Sequence, residues 1–582
     1  MKESGLRADI LFHGGLVLDV FSGEFFPADL AVAQGYVLGF GAAEAETVLD
    51  VNGAYLVPGF LDAHVHLESS KLSPREFARA VLPRGTTAVV ADPHEIANVL
   101  GLSGIRWMLE ATHALPLRVF LMAPSCVPAS PLETPGAVLS VQDIREILSW
   151  ERVLGLGEVM NFPGVLAGDP ELLAKIAAAR GRPVDGHAPG LSGPSLWAYV
   201  RAGPRTDHEC TSLPEAAEKL RAGMHILIRE GTTARNLRTL IPLLTAQSAP
   251  FVHFCTDDRE PETLLSEGHL DDLLRKAVTA GVPPAVAIAS ATIHTARAYG
   301  IPDLGALAPG YRADLLVVSD LPRLQVEQVY VGGVLVAEGG RCVAELPPGP
   351  PPPASPMRLD PARLSFRIPA QGDVARAIKV IPHEVVTEEI LVRPKTADGE
   401  VLSDPERDIL KLAVVERHWG TGNIGLGLVH GFGLRRGALA STVAHDSHHI
   451  VVVGTNDEDM RVAVAELARL GGGQVAVESG KILAVLPLPI AGLMSDRSLS
   501  EVHRRSQELR RAAQTLGSGL PDPFMALSFL ALPVIPALKL TDLGLVDVRR
   551  FTIVPLFVGD QDHGEKARFS GGGERAARGK AV

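Results

Sequence analysis

Cysteine is scarce in this 582-residue chain: four cysteines, Cys126, Cys210, Cys255 and Cys342, lie far apart and form no C-x-x-C pair. This scarcity excludes a disulfide framework and a zinc knuckle. Long hydrophobic runs are also missing, because the most apolar stretch, SFLALPVIPALKL, contains prolines and ends in lysine. A bilayer-spanning helix needs about 20 apolar residues, so we expect no membrane partner.

Basic residues are also fewer than acidic residues. The chain has 55 Lys and Arg against 67 Asp and Glu, a net charge of −12, and contains no long basic run. These features argue against a nucleic-acid partner. The N-terminal MKESGLRAD lacks the apolar segment of a secretory signal, so the expected location is the cytoplasm.

Proline marks the clearest boundary in the chain. Six of the seven residues from Pro347 to Pro353 are proline, and such a run favours extended polyproline geometry. We predict a linker over 346–362 and a C-terminal α/β or α+β domain over 363–558. The last segment, 560–582, is rich in glycine and charge, which is typical of a disordered tail.

The first unit, which is the part of the chain before the linker, contains two kinds of sequence pattern. Residues 8–57 and 303–345 read as short strands with turn signals, which predicts a small flanking β-sandwich domain built from both ends. The middle, 58–302, contains eight β-branched runs, each followed by a helical pattern. That number and length favour a (β/α)8 TIM barrel. A doubly wound sheet gives the same alternation, but most runs end in His, Asp or Glu, and a barrel brings all such ends to one mouth.

The segment PGFLDAHVHLE carries the strongest local signal. Residues two apart in a strand point to the same side, so His64 and His66 both face inward. Two neutral imidazoles suit zinc, manganese or iron. An isolated H-x-H is more often surface or core histidine, but this one follows Pro-Gly at a strand end, with Asp62 available as an orienting or structural partner.

Further candidate ligands follow other predicted strands. Glu158 ends the run GLGE, which looks buried, and a buried carboxylate without a cation is costly. His187, His208 and Asp257 each have a plainer interpretation, as loop histidines or a helix cap. Together these residues lie at the ends of the first, fourth, fifth, sixth and eighth runs, which indicates one metal site.

This arrangement resembles the amidohydrolase superfamily, and more closely the bacterial adenine deaminase family. The resemblance extends from about residue 8 to about residue 558. In the first unit it rests on VADPHEIANVLG, GEVMNFPGV, DGHAPGLSG, TDHE, IREGTTARNL and FCTDDR. In the second unit it rests on TGNIGLGLVHGFGL, AHDSHHIVVVGTNDEDM and LPLPIAGLMSD.

The resemblance implies a binuclear metal site. One ion would be held by His64, His66 and Asp257, the other by His187 and His208, with Glu158 bridging. Mn²⁺ is the expected metal, with Fe²⁺ or Zn²⁺ as alternatives.

The resemblance also implies a reaction. A metal-bridged hydroxide would attack C6 of adenine, giving hypoxanthine and ammonia in purine salvage. Another purine, a pyrimidine or a cyclic amide is the alternative substrate. A homodimer is the implied assembly.

Several side chains receive roles under this interpretation. Asp257 would carry the proton to the leaving amine, and either Glu95 or Glu209 would protonate the purine ring. His94, Arg229 and Glu230 are predicted to contact the substrate. For the last two residues, an ion pair at the rim is an equally weighted alternative.

The second unit contains a histidine cluster in AHDSHHIVVVG, formed by His445, His448 and His449. Because the first unit already supplies a complete ligand set, we interpret this cluster as a hydrogen-bonded turn before a strand. The domain is predicted to cover the barrel mouth or to build a subunit interface.

Overall fold

The computed structural model describes residues 7–41, 43–382 and 384–558. The predicted disordered tail, 560–582, lies outside these ranges. No helix formed by the described residues has both the length and the hydropathy to span a bilayer.

All of the β-branched runs in the middle of the chain form strands. Across the described ranges these strands are Phe60–Val65, Thr86–Ala91, Arg118–Ala123, Val153–Val159, Val184–Gly186, Thr206–Asp207, His225–Arg229 and Val252–Cys255, and we number them as the first to eighth barrel strands. The first five share one parallel sheet and the last three another.

Backbone hydrogen bonds close the two sheets into a cylinder. Arg205 N donates to Val184 O at 2.9 Å between the fifth and sixth strands. Asp257 N donates to His64 O at 3.0 Å and His66 N to Asp257 O at 3.1 Å, joining the eighth strand to the first. The predicted (β/α)8 barrel is confirmed.

Helices follow the strands and pack outside the barrel. Pro74–Val81 is representative: Ser73 caps it by accepting from Glu76 N, proline occupies the first turn, and Phe77 and Val81 are buried. The other helices of this region are His94–Leu100, Leu102–Ala111, Val141–Leu148, Phe162–Ala167, Pro170–Ala178, Gly193–Ala202, Leu213–Arg221, Leu237–Leu240, Pro261–Ser266, Leu270–Thr279, Pro284–Ser290 and Ile293–Ala298.

The interior of the barrel changes from apolar to polar along the first strand. Leu61 and Ala63 belong to the apolar cluster inside the barrel. The pairing with the second strand is irregular between Asp62 and Val65. Because of this irregularity, the side chains of the first strand do not alternate strictly between the two faces. Ala63 and His64, although adjacent in the chain, both face the inside of the barrel, and His66 lies next to His64 at the mouth.

Strands from both sides of the barrel segment form one nine-stranded sheet among the described residues. Its strands within the described residues are Arg7–Asp19, Glu24–Ala33, Tyr36–Phe40, Glu44–Asp50, Tyr55–Pro58, Leu315–Asp320, Gln325–Val331, Val334–Glu338 and Arg341–Cys342. Tyr55–Pro58 pairs with Leu315–Asp320, which joins the two parts of the chain. The sheet encloses its own core, where the rings of Phe12 and Tyr330 meet edge to face with centroids 4.9 Å apart.

The proline-rich segment lies against the barrel. Trp107 Nε1, on the helix Leu102–Ala111, donates to Pro351 O at 3.1 Å. The C-terminal lobe, residues 363–382 and 384–558, follows this segment. The domain boundaries themselves stay predictions.

The C-terminal lobe is built on a mixed sheet with helices. Its strands, in spatial order, are Thr387–Val392, Ala375–Val380, Ile424–His430, Ile409–Val415, Ile450–Gly454, Ala438–Ser441, Gly473–Glu478 and Lys481–Pro487. Two small sheets contain Ile368–Pro369, Lys395–Ala397 and Glu400–Leu402, and Leu538–Thr541, Gly544–Asp547 and Thr552–Val554. The helices are Asp457–Leu470, Leu499–Thr515 and Pro523–Phe529.

The barrel wall has no room for a side chain at Gly157, in the fourth strand. A Cβ there would lie 2.2 Å from Asp92 Oδ2, so we expect Gly157→Ala to lower the free energy of unfolding by about 1–3 kcal/mol. Chemical denaturation measures this change. Gly519→Ala is the control, because a Cβ there meets nothing within 4 Å. Equal stability of the two variants would contradict this close approach.

Candidate metal centre at the barrel mouth

The predicted ligands lie together at the carboxyl ends of their strands. His64 and Glu158 are the second-to-last residues of the first and fourth strands. His187 and His208 directly follow the fifth and sixth strands, and Asp257 lies two residues after the end of the eighth. The side chains are buried, except that His187 is partly exposed. Asp257 has a left-handed backbone conformation with φ of 55°, which turns the chain just after its strand.

One group of ligand atoms comes from the first and eighth strands. The Nε2 atoms of His64 and His66 are 3.1 Å apart. Asp257 Oδ1 lies 3.5 Å from His64 Nε2 and 3.2 Å from His66 Nε2. His66 is held in place because its Nδ1 contacts the carbonyl oxygen of Asp92 at 2.9 Å.

Glu158 lies between this group and a second one. Its Oε1 is 3.3 Å from His66 Nε2 and 3.8 Å from His64 Nε2. Its Oε2 is 2.7 Å from His187 Nδ1 and 3.4 Å from His208 Nε2. The two oxygens of one carboxylate therefore face two different pairs of histidines.

Electrostatics keep Glu158 ionised and His208 neutral, which are the forms of these two groups that bind metal. Burial raises the pKa of Glu158, but hydrogen bonds from His187 and His66 outweigh it and hold the pKa well below its usual value. Burial and repulsion by His64 lower the pKa of His208 to about 4. An ionised carboxylate and a neutral imidazole are the ligand forms that a divalent cation requires.

Neighbouring side chains fix the ligands. Asp92 Oδ2 accepts from Glu158 N at 2.9 Å, in the space that Gly157 leaves open. Asp62 accepts from His64 N at 3.2 Å and from Thr256 N at 3.1 Å. Asp62 therefore ties the first strand to the eighth and has a structural role.

A buried lysine joins the loops that carry His187 and His208. Lys219 Nζ donates to Ala188 O at 2.6 Å and to Asp207 Oδ2 at 2.9 Å. Asp207 Oδ1 in turn accepts from Ala188 N at 2.9 Å. No local sequence pattern reveals these contacts, because the partners come from different βα units.

The structure brings Glu209 and Arg229 to the site. The sixth strand ends at Asp207, so strand alternation no longer applies and both His208 and Glu209 face the mouth. Arg229 Nη2 donates to Glu209 Oε2 at 3.0 Å, and its Nη1 donates to Asp257 Oδ2 at 2.9 Å. Glu209 Oε1 lies 3.5 Å from His208 Nε2.

Glu230, which is predicted to contact the substrate, makes contacts away from the ligand atoms. Its Oε1 accepts from Lys276 Nζ at 3.0 Å, and its Oε2 accepts from Leu237 N at 3.3 Å. The carboxylate is thus used in an ion pair with a helix outside the mouth, which was the alternative interpretation for this residue.

His94 and Glu95 open the helix that follows the second strand. His94 Nδ1 lies 3.4 Å from Glu158 Oε1. Glu95 Oε1 accepts from Ser69 Oγ at 2.9 Å and lies 3.7 Å from His445 Nδ1. Both side chains line the same small cavity as the ligands.

Two connected cavities lie at the mouth. The inner chamber, about 70 Å³, contains the ligand atoms, and residues of the C-terminal lobe complete its lining: Val385, His445, Asp446, Phe529, Leu532 and Ile535. The outer cavity, about 730 Å³, shares His187, Glu209 and Arg229 with the chamber. The lobe therefore covers the mouth.

The histidine cluster of the C-terminal lobe reaches the barrel mouth. The ring of His445 stacks on Phe529 with centroids 4.8 Å apart and borders the inner chamber. His448 and His449 are fully buried. The structural interpretation of the cluster stays a prediction.

The donor set fits divalent metal ions. Ligand atoms of His64, His66 and Asp257 lie within 4.8 Å of one another, as do those of His64, Glu158 and His208. Mixed imidazole and carboxylate ligands suit Mn²⁺, Fe²⁺ and Zn²⁺. Without a cation, so many buried lone pairs and carboxylates would repel one another.

Comparisons with known proteins place the chain in a family. Residues 55–336 match the amidohydrolase family model, and residues 384–552 match the model of the adenine deaminase C-terminal domain. The chain is therefore an amidohydrolase.

Curated relatives define the family more closely. An adenine deaminase from Desulfatibacillum aliphaticivorans is 52% identical over 95% of this chain and 98% of its own length. An adenine deaminase from Methanothrix thermoacetophila is 50% identical over 95% of this chain and 98% of its own. The chain belongs to the adenine deaminase family, which confirms the resemblance noted in its motifs.

Solved structures show more distant likenesses. An adenosine deaminase from Xanthomonas campestris with bound zinc is 15% identical and covers 59% of this chain and 95% of its own, with a TM-score of 0.45. An N-acetyl-D-glucosamine-6-phosphate deacetylase from Mycobacterium smegmatis is 22% identical and covers 56% of this chain and 100% of its own, with a TM-score of 0.44.

Lys219→Met tests the link between the two histidine loops. Removing the ammonium leaves Asp207 as a buried, uncompensated charge, which costs about 3–5 kcal/mol. We expect a matching loss in the free energy of unfolding and a fall in metal affinity of about 10–100-fold, measured by denaturation and by metal-buffered titration. Lys481→Met is the control, since Lys481 is exposed. Unchanged metal affinity in the Lys219 variant would show that the loops hold their positions without this ammonium.

Proposed function

We propose that this chain hydrolyses adenine to hypoxanthine and ammonia, a step of purine salvage. The observation that carries the proposal is the similarity of about 50% identity to curated adenine deaminases over nearly the whole chain. This similarity favours adenine over the alternative of another purine, a pyrimidine or a cyclic amide. A homodimer is proposed from the family resemblance alone.

We propose that two divalent ions, Mn²⁺ first and Fe²⁺ or Zn²⁺ as alternatives, complete the site. His64, His66 and Asp257 would hold one ion, and His187 and His208 the other. Glu158 would bridge them, since each of its oxygens faces a different pair of histidines. When bound, such a pair supplies a water of lowered pKa, so that a nucleophile is present near neutral pH.

Asp257 is placed to move the proton. One of its oxygens lies beside the nitrogen atoms of His64 and His66, and the other is held by Arg229. In our proposal Asp257 accepts a proton from the attacking water as the C6–O bond forms. It returns this proton to the amino nitrogen as the C6–N bond breaks and ammonia leaves.

Glu95 is our choice for the acid that protonates the purine ring. Burial raises its pKa to about 8, so it carries a proton near neutral pH, and it lines the inner chamber with the ligand atoms. Burial raises the pKa of Glu209 as well, but the charge of Arg229 outweighs it and keeps that pKa below its usual value, so Glu209 has no proton to give. After ammonia leaves, the Glu95 carboxylate takes back the proton of the new C6 hydroxyl, which leaves neutral hypoxanthine.

A substrate panel tests the assignment. After reconstitution with Mn²⁺, we expect ammonia release from adenine and much slower or no release from guanine, cytosine, adenosine and hydantoin. The measurement is coupled ammonia detection under identical conditions. A preference for adenosine over adenine would contradict the proposal.

Variants separate the two candidate acids. We expect Glu95→Gln to lower kcat by about 10²–10⁴-fold, the usual contribution of a general acid, with metal content unchanged. Glu209→Gln should lower kcat less. Exposed Glu406→Gln is the control. The reverse order of the first two variants would transfer the role to Glu209.

A further inference from the structure

A second cluster of metal-binding side chains lies next to the site described above. Ligand atoms of His94, Cys126 and Asp446 are within 4.8 Å of one another. The three residues come from three segments: the helix after the second barrel strand, the loop after the third strand, and the C-terminal lobe. All three are at least 95% buried, with exposed fractions of 4%, 4% and 2%.

Two of these residues have polar atoms without a hydrogen-bond partner among the described residues. These atoms are His94 Nδ1 and Asp446 Oδ2, and both are fully buried. A buried polar atom without a partner costs about 1–3 kcal/mol, and more when it is charged. His94 Nδ1 lies 3.4 Å from Glu158 Oε1, whereas His94 and Asp446 both belong to one cluster of possible ligands. An ion bound by that cluster would compensate the buried Asp446 carboxylate.

We propose that His94, Cys126 and Asp446 form a third metal site, distinct from the pair of ions that Glu158 would bridge. An imidazole, a thiolate and a carboxylate are a donor set that selects Zn²⁺ or Fe²⁺. On binding, the Cys126 thiol releases its proton to solvent and coordinates as the thiolate. The predicted substrate contact by His94 is replaced by this role.

An ion at this position would fasten the C-terminal lobe to the barrel. Asp446 belongs to the lobe, whereas His94 and Cys126 belong to loops of the second and third βα units. The lobe supplies part of the lining of the inner chamber. The third ion would therefore hold the C-terminal lobe in place over the barrel mouth, whether or not adenine is the substrate.

Cobalt reconstitution of the full chain tests the site without relying on turnover. Apo-protein is titrated with Co²⁺, and bound metal is counted by mass spectrometry while the near-ultraviolet spectrum is recorded. We expect three equivalents per chain, with a thiolate-to-cobalt charge-transfer band accompanying one of them. Two equivalents and no such band would overturn the proposal, leaving the cluster to be satisfied by water or protons.

Variants assign the band to its residue. Cys126→Ala should remove the band and one equivalent of cobalt, and Asp446→Asn should weaken that equivalent at least tenfold. Cys342→Ala is the matched control, since Cys342 lies in the N-terminal sheet at Arg341–Cys342. A band that persists in a folded Cys126→Ala protein would refute the assignment. If that variant does not fold, the cobalt count and spectrum of the unaltered protein still decide.

Discussion

The site depends on one buried carboxylate placed between two pairs of imidazoles. Glu158 is 2% exposed, and its oxygens face His64 and His66 on one side and His187 and His208 on the other. Such a carboxylate is unfavourable unless cations compensate it. The closure of the barrel, the space left by Gly157 and the hydrogen bond from Glu158 N to Asp92 all serve to hold it there.

The C-terminal lobe gives the site its enclosure. The barrel alone leaves its mouth open, as parallel barrels do. Val385, Phe529 and Ile535 add apolar surface around the inner chamber, and His445 and Asp446 add polar groups. Excluding water in this way strengthens every electrostatic interaction inside the chamber. The chemistry of the mouth therefore belongs to both parts of the chain.

Local patterns predicted the fold and much of the site. The β-branched runs located the barrel strands, and their polar ends located residues such as His64 and Glu158, because strand ends of a barrel converge. Contacts between distant segments could not be predicted this way. Lys219, Cys126 and Asp446 carry no local signal of their partners. The ion pair of Glu230 could not be located either, because its partner, Lys276, lies in a later helix.

Anomalous diffraction from crystals of the Mn²⁺-loaded protein tests the central claim most directly. The account predicts a manganese peak beside each oxygen of the Glu158 carboxylate, with these two peaks about 3.5–4 Å apart. A single peak, or peaks that do not contact Glu158, would contradict it.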